Sequence, residues 1–276
     1  MFDKTTRVKY ARLPLTSLGL EMHRSPDPFL NEYKLDAKFP EAVAIIGFPS
    51  VGLVGSIAAN FIVRTMKLER IATVISKDFP PYTIVHEGVP SPPVRIYSGE
   101  RKCIDGIRCD QLVVVMAEFM PSPNLIKPVT DLVLEWCKQK EIGMIVTLEG
   151  INVGEVAGEV QTYGIGSTER ARITLEKYGV KEMREGMVSG ISGVLLYEGD
   201  RLGIDVICLL GPARLDMPDA RGSARLLEIV GKMLPELKLD PEPLYKEAEQ
   251  IEQQLKAAME SVKQPKKIGE ESVIYG

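Results

Sequence analysis

The sequence predicts an α/β fold, an α/β/α sandwich built on a mainly parallel sheet, followed by an amphipathic helix and a flexible tail. Three observations carry this. Short, continuous apolar runs recur at Ala42–Ile46, Gln111–Ala117, Ile142–Leu148 and Gly203–Leu210. Runs of that length and composition fit strands buried on both faces. Segments with apolar residues at helical spacing alternate with them, and past Pro235 the composition shifts to a Glu-, Gln- and Lys-rich helical pattern.

The stretch Glu41–Met66 shows the alternation most clearly. Its apolar run is broken by Gly47-Phe48-Pro49-Ser50, after which Leu53, Val54, Ile57, Ala58, Phe61 and Ile62 recur at helical spacing. Ser50 is the expected N-cap. The turn resembles neither common phosphate-binding signature. Gly47 and Gly52 have the P-loop separation, but Leu53 and Val54 stand where its Lys and Ser/Thr belong. Ser50 replaces the first glycine of a dinucleotide fingerprint. Close packing of helix on sheet explains Gly52 and Gly55, and a backbone-amide anion site at the helix start is the alternative. Ala42–Val63 carries no charge, yet Pro49, Asn60 and the glycines argue for a strand–turn–helix rather than a membrane span.

Residues 1–40, punctuated by Pro14, Pro26, Pro28 and Pro40, are expected to hold an edge strand or a wrapping arm. Arg70–Ser76 reads as a strand, Tyr82–Val85 as an exposed extended segment, and Val94–Tyr97 as a strand turning at Ser98-Gly99. Gln111–Ala117 leads through Glu118–Pro123 into a helix over Asn124–Lys140, with Leu125, Val129, Leu132, Val133 and Trp136 on one face. Glycines 154, 158, 164 and 166 mark a loop-rich segment before a short helix near Thr168–Tyr178. Met187–Ile191 reads as a strand entering a helix, and Asp219–Leu234 as the last helix of the body.

The α/β body is expected to span 1–240. From 241 to 262, Leu244, Ala248, Ile251, Leu255, Ala258 and Val262 alternate steps of four and three. That is the rhythm of a coiled coil, short enough to dock on its own body or pair with a neighbouring subunit. Residues 263–276 read as a tether that reaches about 45 Å when extended. Its end, Val273-Ile274-Tyr275-Gly276, is apolar. A hydrophobic residue, a tyrosine and a free carboxylate make a compact ligand for a groove. On residues alone, a returning edge strand or an inert end is as good an account.

Composition narrows the function classes. With 276 residues, 45% hydrophobic and 26% charged, the chain is long enough for one large core. A net charge of −4 argues against a general nucleic-acid binder. Cys103, Cys109, Cys137 and Cys208 form no CxxC pair, and His23 and His86 are the only histidines. Neither a metal site nor a disulfide framework follows from those spacings, so reduced thiols in a cytoplasm are expected, with no cofactor. The charged N-terminus lacks the apolar core of a signal peptide.

Three glycine- and proline-marked stretches, taken in order, carry a resemblance. Gly47-Phe48-Pro49-Ser50-Val51-Gly52-Leu53-Val54-Gly55, Gly190-Ile191-Ser192-Gly193-Val194-Leu195-Leu196, and Pro218-Asp219-Ala220 with Ala224 together resemble the proteasome assembly chaperone family. The resemblance implies a nucleoside-phosphorylase-like α/β/α scaffold rather than an enzyme. Its archaeal branch implies a homo-oligomer that engages the α-subunits of the proteasome core particle. By the same resemblance Ile274-Tyr275-Gly276 matches the hydrophobic–tyrosine–any (HbYX) docking motif of proteasome activators and some assembly chaperones. Tyr275 would wedge in the pocket between α-subunits, Ile274 would add apolar contact, and the Gly276 carboxylate would pair with a pocket lysine.

A rival reading is a nucleotide-binding, ATP-grasp-like protein or a hydrolase- or phosphorylase-like enzyme. Glu118 and Glu149 each follow a predicted parallel strand, where α/β folds bind ligands. With Gly47, Ser50 and Gly52 they form a candidate ligand pocket if their strands are adjacent. Ser50 and Ser192 lack a nucleophile elbow and a histidine placed to serve them.

Overall fold

The structure, a computed structural model, describes residues 27–33, 38–40, 42–86, 88–99, 111–152, 161–215 and 217–263. The apolar runs form the centre of a nine-stranded sheet. Strands β1 (Phe29–Glu32), β2 (Val43–Gly47), β3 (Glu69–Ile75), β4 (Ile84–His86), β5 (Val89–Ser91), β6 (Val94–Gly99), β7 (Leu112–Ala117), β8 (Met144–Asn152), β9 (Tyr163–Gly166), β10 (Lys181–Glu182) and β11 (Val206–Ala213) are accompanied, among the described residues, by six α-helices. These are α1 (Val54–Thr65), α2 (Pro123–Gln139), α3 (Glu169–Lys177), α4 (Gly190–Leu202), α5 (Ala220–Met233) and α6 (Glu242–Lys263). The sheet order is β1-β3-β6-β7-β2-β8-β11-β9-β10, and β4 and β5 form a separate hairpin.

The four central strands, β7-β2-β8-β11, pair in parallel. The strands flanking them are antiparallel: β6, β3 and β1 on one side and β9 on the other. Side chains alternate between two cores, as the period of two in a strand requires. Val43, Ile45, Leu112, Val114 and Leu148 join α1, α5 and the start of α6 on one face. Ala44, Ile46, Val113, Val115 and Ile145 join α2 and α4 on the other. The predicted α/β/α arrangement is therefore the one observed. β1 forms the sheet edge beside β3, within the region where an edge strand or arm was expected. Its Glu32 accepts hydrogen bonds from Trp136 Nε1 and, at 2.9 Å, from Lys140 Nζ of the α2 end.

Several expectations are corrected. Residues 183–189 form no strand, and α4 begins directly at Gly190. Gly190 has φ +71°, which ends any extended run before the helix. The last parallel strand starts at Val206, not Gly203, because Gly203 closes α4 in a left-handed conformation. Ser50 does not cap α1 through its side chain. Gly52 at φ +62° and Leu53 at φ +53° make residues 51–53 a 3-10 turn, so the α-helix starts three residues past the expected site. The loop-rich segment contains β9, whose glycines serve packing. A Cβ on Gly166 would lie 2.6 Å from the Arg172 amide nitrogen, and one on Gly164 2.5 Å from Leu175. Both glycines let α3 lie directly on the strand. The expected extended segment at Tyr82–Val85 runs into β4, one arm of the β4–β5 hairpin.

Two α-helices begin with side-chain caps that the sequence makes legible. Thr168 Oγ1 accepts from the Ala171 amide, and Asp219 Oδ1 accepts from the Gly222 amide at 2.8 Å. Helix α6 turns back along α5: Leu244 and Ala248 are buried against it, and Tyr245 Oη donates to Glu228 at 2.7 Å. Ile274, Tyr275 and Gly276, together with Cys103 and Cys109, lie outside the described residues.

Candidate functional site

The three sequence stretches that carry the resemblance meet at the carboxyl edge of the central strands. Gly47 ends β2, and a Cβ there would lie 2.4 Å from the Gly55 carbonyl oxygen. A Cβ on Gly55 would lie 2.0 Å from the Leu148 carbonyl oxygen, and one on Gly150 1.9 Å from that of Val51. Backbone therefore rests on backbone where the β2–α1 turn crosses β8. Ser50 Oγ completes this joint by accepting from the Gly150 amide at 3.0 Å.

The second stretch enters from α4. Ser192 Oγ donates to Glu149 Oε1 at 2.5 Å and also hydrogen-bonds to Thr147 Oγ1. Thr147 and Glu149 are two residues apart on β8 and face α4 together. Glu149 is 7% exposed, Ser192 2% and Thr147 1%. Burial pushes the Glu149 carboxyl up to about 7, against smaller opposing hydrogen bonds from Ser192 and Ser50. On neighbouring β11 the Cys208 thiol, registered beside Thr147, is pushed well up by burial and by the Glu149 charge. A thiol held protonated is a poor nucleophile.

The third stretch closes the other face. The Asp219 amide donates to the Gly52 carbonyl at 2.7 Å, and Ser223 Oγ of α5 donates to the Val54 carbonyl at 3.1 Å. A Cβ on Gly222 would lie 2.2 Å from the Pro212 carbonyl oxygen, so α5 sits tight on the end of β11. Ala224 is fully buried. Each stretch thus contacts the β2–α1 turn or the strand ends next to it.

Glu118 has a different setting. Arg95 Nη2 on β6 donates to Glu118 Oε1, with Arg95 3% exposed. The Arg95 Nε is buried without a hydrogen-bond partner. Strand β2 separates β7 from β8, so the adjacency on which paired work by Glu118 and Glu149 depended is absent. Of the candidate pocket, Gly47, Ser50, Gly52 and Glu149 come together and Glu118 belongs to a separate ion pair. An open groove of about 560 Å³ lies at the β3 end of the same edge, lined by Phe79, Pro80, Tyr82, Pro90 and Pro92 among others, and none of Gly47, Ser50, Gly52, Glu118 and Glu149 lines it. Among the described residues no three His, Cys, Asp or Glu side chains are grouped to hold a metal ion. No described helix is long and apolar enough to cross a membrane. Arg95 and Ser192 as the partners of the two glutamates were missed from the sequence. The readable signal was polar spacing: Thr147 and Glu149, two apart in an apolar strand, demand a polar partner from the covering helix.

Comparison with known proteins agrees with this architecture. The PAC2 family model matches residues 44–259, which takes in all three stretches. An uncharacterized protein of Methanocaldococcus jannaschii is 31% identical over 227 residues, covering 82% of this chain and 89% of that one. The crystal structure of Pyrococcus furiosus PbaA, described as an archaeal homolog of proteasome-assembly chaperone, aligns with TM-score 0.75 and 33% identity. That alignment covers 84% of this chain and 92% of PbaA. Pyrococcus furiosus PbaB, described as an archaeal proteasome activator, shares the fold at TM-score 0.71 and 23% identity, over 85% of this chain and all of that one. The turn that locks β2 to β8, the Ser192 helix and the Asp219 cap are the joints of a fold these proteins share, and the chain belongs to the PAC2 family.

Proposed function

We propose that this chain is a non-catalytic, homo-oligomeric proteasome assembly chaperone or core-particle-binding protein of the cytoplasm. It docks Ile274-Tyr275-Gly276 into pockets between the core-particle α-subunits. The observation that carries this reading is the 33% identity to the PbaA chain over 84% of this one. The body supports a scaffold role. At the carboxyl edge of its central strands, where an α/β enzyme would bind substrate, backbone contacts press the β2–α1 turn onto β8, and the carboxyl raised among the described residues, Glu149, is buried under α4. A tether between α6 and the tripeptide lets the tail reach its pocket. Several tails on one oligomer offset a weak single contact through effective concentration.

The terminal carboxylate gives a direct test. Appending one alanine after Gly276 moves the charge while leaving the body and every native side chain in place. The docking reading expects binding to purified core particles to weaken at least tenfold, about 1.4 kcal/mol. Undiminished binding would remove the carboxylate from the recognition.

A further inference from the structure

The groove at the β3 end of the carboxyl edge has a wall made largely of rings. Phe79, Tyr82 and five prolines, at positions 80, 81, 90, 92 and 93, line it. Prolines have no N–H to offer, so no full ladder of backbone hydrogen bonds can hold an occupant there. What the wall presents is apolar carbon. Phe79 stands edge-on to Phe119 with centroids 5.0 Å apart. Thr83 Oγ1 accepts from the Ser91 amide at 3.1 Å and donates to its carbonyl at 2.9 Å, which ties the two sides of the hairpin base together. The groove is therefore preformed. Its volume of about 560 Å³ falls in the range of clefts that take a small ligand, about 300–1,000 Å³. Tyr82 on its wall and Val85 further along the hairpin are 44% and 63% exposed, apolar surface of the kind an interaction covers.

The chain brings its own candidate to this wall. β1 is antiparallel to β3 with Phe29 opposite Ile75, so the chain preceding β1 lies past the end of β3, beside the groove. Asp27 is fastened there. Its carboxylate accepts from the Lys77 amide at 3.3 Å and pairs with Lys77 Nζ at 3.2 Å, and Ile75, Ser76 and Lys77 all line the groove. Residues 1–26 lie outside the described residues. Their sequence sets Leu18, Leu20 and Met22 two apart, with Gly19 and Glu21 between them. In an extended segment that period places three apolar side chains on one side and the charge on the other. Four residues, His23 to Pro26, separate Met22 from Asp27, a span of at most about 14 Å.

We propose that the segment Leu18–Met22 occupies the groove of its own chain, with Leu18, Leu20 and Met22 against the aromatic and proline wall. The link through His23–Pro26 is short. It keeps the segment near the groove at an effective concentration in the millimolar range, which a separate apolar peptide must exceed to displace it. The chemistry of the two surfaces matches, since a wall poor in N–H donors meets a face that needs none. The segment acts as a strap over the apolar part of the carboxyl edge beside β3.

The test places the photoreactive residue p-benzoylphenylalanine at position 20 of the full chain, one apolar side chain for another. Cross-links formed on irradiation are mapped by mass spectrometry. Mixing isotopically heavy and light copies separates links within one chain from links between two. Links are expected within residues 74–83 and 90–93 of the same chain, at least tenfold above those to Tyr33. Tyr33 is the internal control, being 49% exposed and about 20 Å from Asp27 along β1. The seven residues from Leu20 to Asp27 extend to about 24 Å, so the control is within reach. Adding Leu18→Asp with Met22→Asp is expected to lower the groove links at least tenfold, with circular dichroism showing that the body is still folded. Links no more frequent than at Tyr33, an absence of links, or links that the aspartates leave in place overturn the proposal. Groove links that join two different copies also overturn it, because the occupant is then another chain.

Discussion

Replacing Gly55 by alanine is expected to destabilise the protein by about 3 kcal/mol, the upper part of the range for overpacking a tight interior. On an open helix the same change would stabilise by about 1 kcal/mol, because alanine is the better helix former. The contact decides the sign. The new Cβ would sit 2.0 Å from the Leu148 carbonyl oxygen, and neither α1 nor β8 has a flexible side chain there to move aside. The helix must lift, which strips burial from Val54, Ala58, Ala59 and Ile62 and stretches the Ser50–Gly150 hydrogen bond. For a domain of this size the loss corresponds to a fall of roughly 6–12 °C in melting temperature. Gly179→Ala is the control. Nothing lies within 4 Å of its Cβ, so it carries only the cost of its φ of +68°, about 1 kcal/mol. Equal melting temperatures for the two variants would show that the β2–α1 turn is not the rigid joint described above.

Glu149→Gln is expected to flatten the pH dependence of stability. Burial raises the Glu149 carboxyl from 4.5 to about 7 in the folded chain. Between those values the folded state holds a proton that the unfolded state has released. The stabilisation is therefore complete below about pH 4.5 and is lost as pH rises through about 7. At about 1.36 kcal/mol per unit, the parent loses on the order of 3 kcal/mol across that window. The glutamine has no charge to bury, and its carbonyl still accepts from Ser192. Chemical denaturation at pH 5 and pH 8 measures the difference. The variant should match the parent at pH 5 and exceed it by roughly 3 kcal/mol at pH 8. A constant offset at both values would mean that Glu149 keeps its ordinary acidity and is not sealed under α4.

What could be read from the sequence follows from local physics. The strands β2, β7, β8 and β11 are legible because both of their faces are buried, which leaves an unbroken apolar run. Helices α1, α2 and α5 are legible from their spacing. β9 is not, because its glycines look like a loop until α3 is seen resting on them. The cap at Ser50 failed because φ +62° at Gly52 delays the helix, and nothing in the residues around it distinguishes a 3-10 turn from a first α-turn. The carboxyl edge was located from Glu118 and Glu149, but their partners were not. Arg95 sits inside an apolar strand and Ser192 is 43 residues beyond Glu149, so only the folded topology joins them. The resemblance rested on three separated stretches, which the fold brings together at the β2–α1 turn and the strand ends next to it. Each holds the same joint from a different side.

The most direct measurement of the central claim is binding to purified proteasome core particles, by the full chain and by a version ending at Val273. The docking account expects both to show the same oligomeric mass and the same melting temperature, because the tripeptide follows the body and α6 in the sequence. The docking account predicts that the full chain binds and that removal of Ile274-Tyr275-Gly276 abolishes binding. Equal binding by the two forms would contradict it and place recognition on the α/β body.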